Sequence, residues 1–184
     1  MEVGSKFIKH KVDFDWYLKV NFSTWNTEAL VFWQGQRQNH IALGIKNSQM
    51  HFVTNGVPLI VEKYVNDGEI HQVSLSEKQG EIELEVDGMK KSRTFNNFLD
   101  ENLMNQLNGD DYFLGGLPQN NQENEYFSAG FSGCIYGLLS KNKKHDGSMS
   151  YGDLVDFADE TLNKKSEGVL STNQCILPAK PTSR

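Results

Sequence analysis

Five Asn-Gly or Asp-Gly dipeptides punctuate this chain, at Asn55-Gly56, Asp67-Gly68, Asp87-Gly88, Asn108-Gly109 and Asp146-Gly147. Each supplies residues that tolerate the positive φ of a tight hairpin turn. Reversals at that frequency leave little room for long helices. The segments between them, 69–75, 81–86 and 112–114, are short and rich in β-prone residues. Upstream, Phe14, Trp16, Leu18, Val20 and Phe22 alternate with Asp15, Tyr17, Lys19 and Asn21. That period of two marks a half-buried strand. Residues 29–33 read as a more fully buried strand. Ile41, Leu43 and Ile45 then alternate with His40, Ala42 and Gly44, and Met50 and Phe52 continue the rhythm after a turn at Asn47-Ser48. Only 98–107, with Leu99, Leu103 and Leu107 four apart, and more weakly 153–163, read as helix. The pattern predicts an all-β chain, an antiparallel β-sandwich or jelly roll with at most one or two short helices.

The 184 residues, 38% of them hydrophobic, are enough for one domain with its own core. Lys and Arg total 18 against 24 Asp and Glu, a formal charge of −6, which argues against a general nucleic-acid binder. The longest uninterrupted apolar run is 29–33, far short of the roughly 20 residues of a membrane-spanning helix. No apolar stretch follows the opening Met-Glu-Val-Gly-Ser-Lys, so a signal peptide is not expected there.

Five short motifs occur in a particular order. They are Gly68-Glu69-Ile70-His71-Gln72-Val73, Leu84-Glu85-Val86-Asp87-Gly88, Leu114-Gly115-Gly116-Leu117-Pro118, Phe131-Ser132-Gly133-Cys134-Ile135, and a last cysteine, Cys175. Singly each is cheap, but in this order and with these gaps the chain resembles a laminin G-like module, also called an LNS domain. One departure is Ile70, where that family usually carries Trp before the His. The resemblance implies a single domain over 1–176, with 177–184 as a tail or linker broken by Pro178 and Pro181. It also implies a concanavalin A-like jelly roll of fourteen strands in two curved sheets.

The same resemblance implies that Cys134 and Cys175 form a disulfide and that the domain works outside the cell. Such a bridge would close a loop of about 40 residues, a constraint of roughly 4 kcal/mol in the chain-entropy picture. Asn21-Phe22-Ser23 is an N-glycosylation sequon whose Asn falls on the polar side of its strand. Many members of the family hold one Ca²⁺ at the sandwich rim with two side-chain oxygens and two carbonyls. The matching positions here are Asn39, then Asn108 or Asp110, with carbonyls from around Asn55 and the Asn108 loop. Asn39 stands where the family often has Asp, so one negative charge is missing, and binding is expected to be weak or absent.

Catalytic patterns are thin. Glu81, Glu83, Glu85 and Asp87 alternate with Ile82, Leu84 and Val86, which places the acids together on one strand face. Some jelly-roll glycoside hydrolases carry paired glutamates in this way. Glu81 and Glu85 would sit roughly 13 Å apart along the strand axis, whereas a retaining pair needs about 5–5.5 Å. The face is read as solvated and acidic. The five histidines fall in separate segments without a Ser or Cys at motif spacing, and His71 is assigned to packing beside Val73. Residues 130–133 lack the Lys of a phosphate-binding loop. Two basic clusters, Lys90, Lys91 and Arg93, and Lys141, Lys143 and Lys144, could serve an acidic partner if they converge.

The sequence therefore predicts a non-catalytic extracellular recognition or adhesion module, part of a larger multidomain protein. Loops at 34–39, 55–58, 105–111 and 119–126 would contact a protein or glycan ligand, with calcium as the one cofactor suggested. Two other readings stand beside it. One is a carrier of a small steroid-like ligand between the sheets. The other is a glycoside hydrolase using Glu81 and Glu85.

Overall fold

A computed structural model describes residues 8–11, 17–36, 39–54, 56–78, 81–94, 111–117, 126–143, 149–151, 177 and 179–180. In chain order these form β1 (Ile8–Lys11), β2 (Tyr17–Thr24), β3 (Ala29–Gln36), β4 (Asn39–Lys46), β5 (Gln49–Thr54) and β6 (Val57–Tyr64). There follow β7 (His71–Lys78), β8 (Glu81–Val86), β9 (Met89–Thr94), β10 (Asp111–Leu114), β11 (Gly133–Lys143) and β12 (Met149–Tyr151). One six-stranded sheet has the order β1-β10-β3-β4-β5-β6, the other β12-β11-β2-β7-β8-β9. We call them sheet A and sheet B. Neighbours in both run antiparallel. The all-β antiparallel expectation is met, and the described residues contain no helix. The two segments read as helical, 98–107 and 153–163, lie outside the described residues, as do Phe14 and Trp16.

Alternation explains the layers. Leu18, Val20 and Phe22 of β2, Val73 and Leu75 of β7, and Ile82, Leu84 and Val86 of β8 all point to one side of sheet B. They meet Phe32, Ile41, Leu43, Phe52 and Val61 from sheet A, most of them at most 2% exposed. Burying each such side chain contributes about 1.5–3 kcal/mol before chain entropy is counted. The hairpin turns behave as their composition requires. Asn47 and Ser48 join β4 to β5 at φ of 52° and 65°, and Asp87 and Gly88 join β8 to β9 at 47° and 85°.

Sheet A departs from a one-sided pattern. Phe32, Leu43 and Phe52 line up across β3, β4 and β5 in the main core, so their neighbours Trp33, Ala42 and Val53 must face the opposite way. These outward residues are also buried, with Leu30, Phe113 and Phe127, in a second apolar cluster. Its roof is the segment 126–131, which crosses the outer face of sheet A and pairs with β3 at Leu30 and Gly130. Gly44 makes that approach feasible, because a Cβ there would lie 2.7 Å from a ring carbon of Phe127 and 2.5 Å from the Ala29 carbonyl oxygen.

Two of the loops expected at the rim are shorter than the sequence suggested. Gln34 lies within β3 and is fully buried, Asn39 opens β4, and Val57 and Pro58 belong to β6. Arg93 of β9 donates to the Pro58 carbonyl of β6 at 3.0 Å, tying one edge of sheet B to one edge of sheet A.

Candidate recognition surfaces

The acidic strand comes first, because it held the strongest enzyme-like pattern. Glu81, Glu83 and Glu85 do face outward from β8 while Ile82, Leu84 and Val86 fill the core. Their carboxylates are occupied by the neighbouring edge strand. Lys90 Nζ lies 2.8 Å from Glu83 and 3.3 Å from Glu85, and the Ser92 hydroxyl donates to Glu81. Glu83, then Glu85, hold the Lys90 ammonium above the ordinary lysine value. These are cross-strand charge pairs of an ordinary sheet surface.

Asp87 leaves that row. Sequence alternation placed it beside the glutamates, but the turn at φ 47° swings its carboxylate to the start of β7. There it lies 2.7 Å from Nδ1 of His71, accepts the Gln72 amide at 2.7 Å, and meets Lys63 Nζ at 3.0 Å. On the other side of the ring, Nε2 of His71 is 2.8 Å from Asp67 Oδ1, which also accepts the Glu69 amide at 2.9 Å. His71 is 4% exposed. A carboxylate only accepts, so both ring nitrogens must donate for this arrangement to be complete. His71 therefore staples the β6–β7 loop to the β8–β9 turn, a larger role than packing beside Val73. Burial pushes both carboxyls up. For Asp87, the bonds from His71, the Gln72 amide and Lys63 outweigh it, and the group lies below the ordinary aspartate value. For Asp67, the Glu69 amide and His71 do the same.

The basic clusters do not meet. Lys90, Lys91 and Arg93 lie on β9 at one edge of sheet B, while Lys141 and Lys143 lie on β11, beyond β8, β7 and β2. Four strand spacings separate β9 from β11, on the order of 19 Å. Lys144 lies outside the described residues. What sheet B offers between these edges is a polar outer face. Tyr17, Lys19 and Asn21 of β2 stand beside Ser76, Ser74 and Gln72 of β7.

Asn21 is on that face, across from Gln72 on one side and Gly137 on the other. Its Oδ1 is shielded and has no hydrogen-bond partner among the described residues. The Ser23 hydroxyl of the same sequon is buried, 2.9 Å from the Tyr136 hydroxyl. Of the calcium candidates, only the backbone of Asn39 is described. Asn108, Asp110 and Asn55 lie outside the described residues. Cys134 is 1% exposed at the head of β11, paired across from Ser23, and Cys175 lies outside the described residues. No helix of the described residues is long and apolar enough to cross a membrane.

Two further clusters were not found by sequence reasoning. One is the His71 staple just described. The other fastens 126–131 to sheet A. His51 Nδ1 is 2.8 Å from the Tyr126 hydroxyl, Lys46 donates to the Tyr126 carbonyl at 2.8 Å, and Glu28 accepts the amide and hydroxyl of Ser128 at 2.9 and 2.8 Å. The signal for the staple was the spacing of Asp67 and His71 beside an Asp-Gly turn. The second cluster joins residues about 75–100 apart and left no local trace.

The family model for the laminin G domain matches residues 22–143, from within β2 to the end of β11. The chain belongs to the laminin G domain family. It is 29% identical over 166 residues to the laminin subunit alpha of Drosophila melanogaster, a match covering 89% of this chain and 4% of that much longer protein. Among solved structures, domains LG4-5 of the mouse laminin alpha1 chain superpose with a TM-score of 0.62 at 15% identity, covering 83% of this chain and 42% of that one. The LG1-3 region of the laminin alpha2 chain gives 0.55 at 14% identity, covering 84% and 27%. Laminin G domains are typically extracellular binding modules and generally non-catalytic. Their two-sheet sandwich is the architecture seen here.

Proposed function

We propose that this laminin G domain is a non-catalytic adhesion module that binds a protein or protein-linked glycan of the extracellular matrix or cell surface, as one unit of a larger multidomain protein. The observation that carries this reading is the state of the β8 carboxylates. Glu83 and Glu85 share Lys90, Glu81 accepts from Ser92, and Asp87 is committed to His71. Strand and turn acids so engaged are surface and scaffold chemistry. The aromatic interior supports recognition over carriage of a steroid-like ligand, since Phe22, Phe32 and Phe52 are themselves 2% exposed or less. Solid-phase binding to purified matrix glycoproteins, before and after enzymatic removal of their glycans, tests the reading and separates protein from sugar. Turnover of β-glucans that disappears in Glu81→Gln would overturn it.

Calcium and the covalent features belong to the same proposal. The buried Thr54 Oγ1, without a hydrogen-bond partner among the described residues, lies across from Ile41, two positions from Asn39. An oxygen without a partner at this end of sheet A is compatible with a weak rim site for Ca²⁺ held by Asn39 and by Asn108 or Asp110. A set with at most one formal charge suits the millimolar affinities of extracellular modules. Asp110→Ala should abolish any calcium-dependent rise in melting temperature, and no rise in the parent protein would end the idea. A disulfide from Cys134 to Cys175 and a glycan on Asn21 complete an extracellular assignment. A mobility shift removed both by N-glycan cleavage and by Asn21→Gln tests the latter.

A further inference from the structure

The segment 126–131 is fastened over the outer face of sheet A by a set of contacts of unequal chemistry. Three are backbone bonds or pairings, at Leu30 N–H to Ala129 O (2.9 Å), Phe131 N–H to Gly115 O (2.8 Å) and the Leu30–Gly130 bridge. One is apolar, with Phe127 seated on Gly44. The remaining ones run through titratable side chains, His51 to the Tyr126 hydroxyl, Lys46 to the Tyr126 carbonyl and Glu28 to Ser128.

His51 is the informative member. It is 4% exposed, its Nδ1 meets the Tyr126 hydroxyl, and its Nε2 is sealed from solvent with no hydrogen-bond partner among the described residues. The groups around it come from every adjoining element. From β4 there are Gly44, which has no side chain, and Lys46, whose Nζ lies 4.4 Å from the Tyr126 ring centroid. From 126–131 there is Tyr126, kept protonated because burial raises its hydroxyl above the ordinary value. From β6 the cross-strand neighbour is Ile60, with exposed Glu62 two residues on. Glu28, ahead of β3, feels the Lys46 charge but gives its carboxylate to Ser128. Among the described residues no carboxylate is bonded to His51, in contrast to His71, which has two. A second proton on His51 would place a cation in a buried site beside another cation, and the Nε2–H of the charged ring has no acceptor in hydrogen-bond geometry among the described residues.

We propose that 126–130 is an acid-released latch hinged at Phe131: it is closed while His51 is neutral, and it lifts from sheet A when the ring takes up its second proton, baring the Trp33, Val53 and Phe113 surface. The direction of titration agrees. Burial first, then the Lys46 charge, hold His51 below the ordinary histidine value, against the opposing pull of the Lys46 backbone. A base lowered in the closed form stabilises that form above its ordinary value, and the stabilisation is lost as the pH falls. Opening stops at Phe131, whose ring packs edge-on against Phe22 in the main core, while His51, Lys46 and Tyr126 lie outside that core.

Amide hydrogen exchange, corrected for the intrinsic pH effect, tests the latch between pH 7.5 and 5. Protection at Leu30 and Ser128 should fall by up to about tenfold per pH unit, while Val20 and Val73 keep theirs. His51→Gln, which is neutral at every pH, should abolish the fall, and Glu28→Gln should leave it in the histidine range. Should His51→Gln fail to fold, the NMR titration of the His51 ring in the parent protein must coincide with the loss of strap protection. Unchanged protection at pH 5, a His51 titration without opening, or loss of the transition in Glu28→Gln would each overturn the proposal.

Discussion

Nδ1 of His71 stands 2.7 Å from Oδ2 of Asp87, and that contact fastens the first residue of β7 to the turn between β8 and β9. Because Asp67 holds the other ring nitrogen, removing the imidazole takes one partner from each of two carboxylates, leaving Asp87 with the Gln72 amide and Lys63 and Asp67 with the Glu69 amide. His71→Ala is expected to destabilise the domain by about 2–3 kcal/mol, the cost of leaving partly buried charged partners less fully matched. Urea unfolding midpoints for the two proteins measure it. A change of a few tenths would mean that the staple closes without contributing stability.

The same aspartates set an acid limit. Both carboxyls lie below their ordinary value in the folded domain, so each favours folding above the unfolded aspartate value and loses that contribution as the pH falls through the lowered one. Melting temperature should therefore decline below about pH 4. In Asp87→Asn that acid limb should be shallower. Equal slopes for the two proteins would assign the acid sensitivity elsewhere.

Gly44 predicts a steric cost. A methyl group there meets the Phe127 ring at 2.7 Å and the Ala29 carbonyl at 2.5 Å, and the second of these is backbone that cannot swing aside. Gly44→Ala should cost about 1–3 kcal/mol as overpacking, and should increase binding of a hydrophobic dye through partial displacement of the strap. An unaltered melting temperature would show that Phe127 does not pack there in solution.

The cysteines give a covalent prediction. Peptide mapping without reduction should recover Cys134 joined to Cys175, and reduction should remove about 4 kcal/mol of stability. Two alkylatable thiols in secreted protein would contradict it.

The strands were legible where one face is wet. Alternation of Leu18, Val20 and Phe22 with Lys19 and Asn21 announced β2, and the Asp87-Gly88 dipeptide announced its turn. Family motifs carried the rest of the architecture, since local pattern alone stops at an antiparallel sandwich. What escaped was long-range and geometric. Gln34 reads as polar rim yet is buried inside β3, because it shares the inward face with Phe32 and lies across from Ile41 of the main core. Asp87 continues the glutamate alternation in sequence, but one positive φ redirects it toward His71. The Tyr126–His51 contact joins residues 75 positions apart and depends on the path of the chain between them, which no periodicity encodes.

A sheet with apolar cover on both faces has few positions left to change. The Phe127 roof thus makes one layer of this domain a fixed chassis, whose middle strands can vary little without unseating either its lining or its lid. Whatever distinguishes this domain's choice of companion from that of its cousins must then be written on the opposite layer's open side and on the loops, where substitutions are cheap.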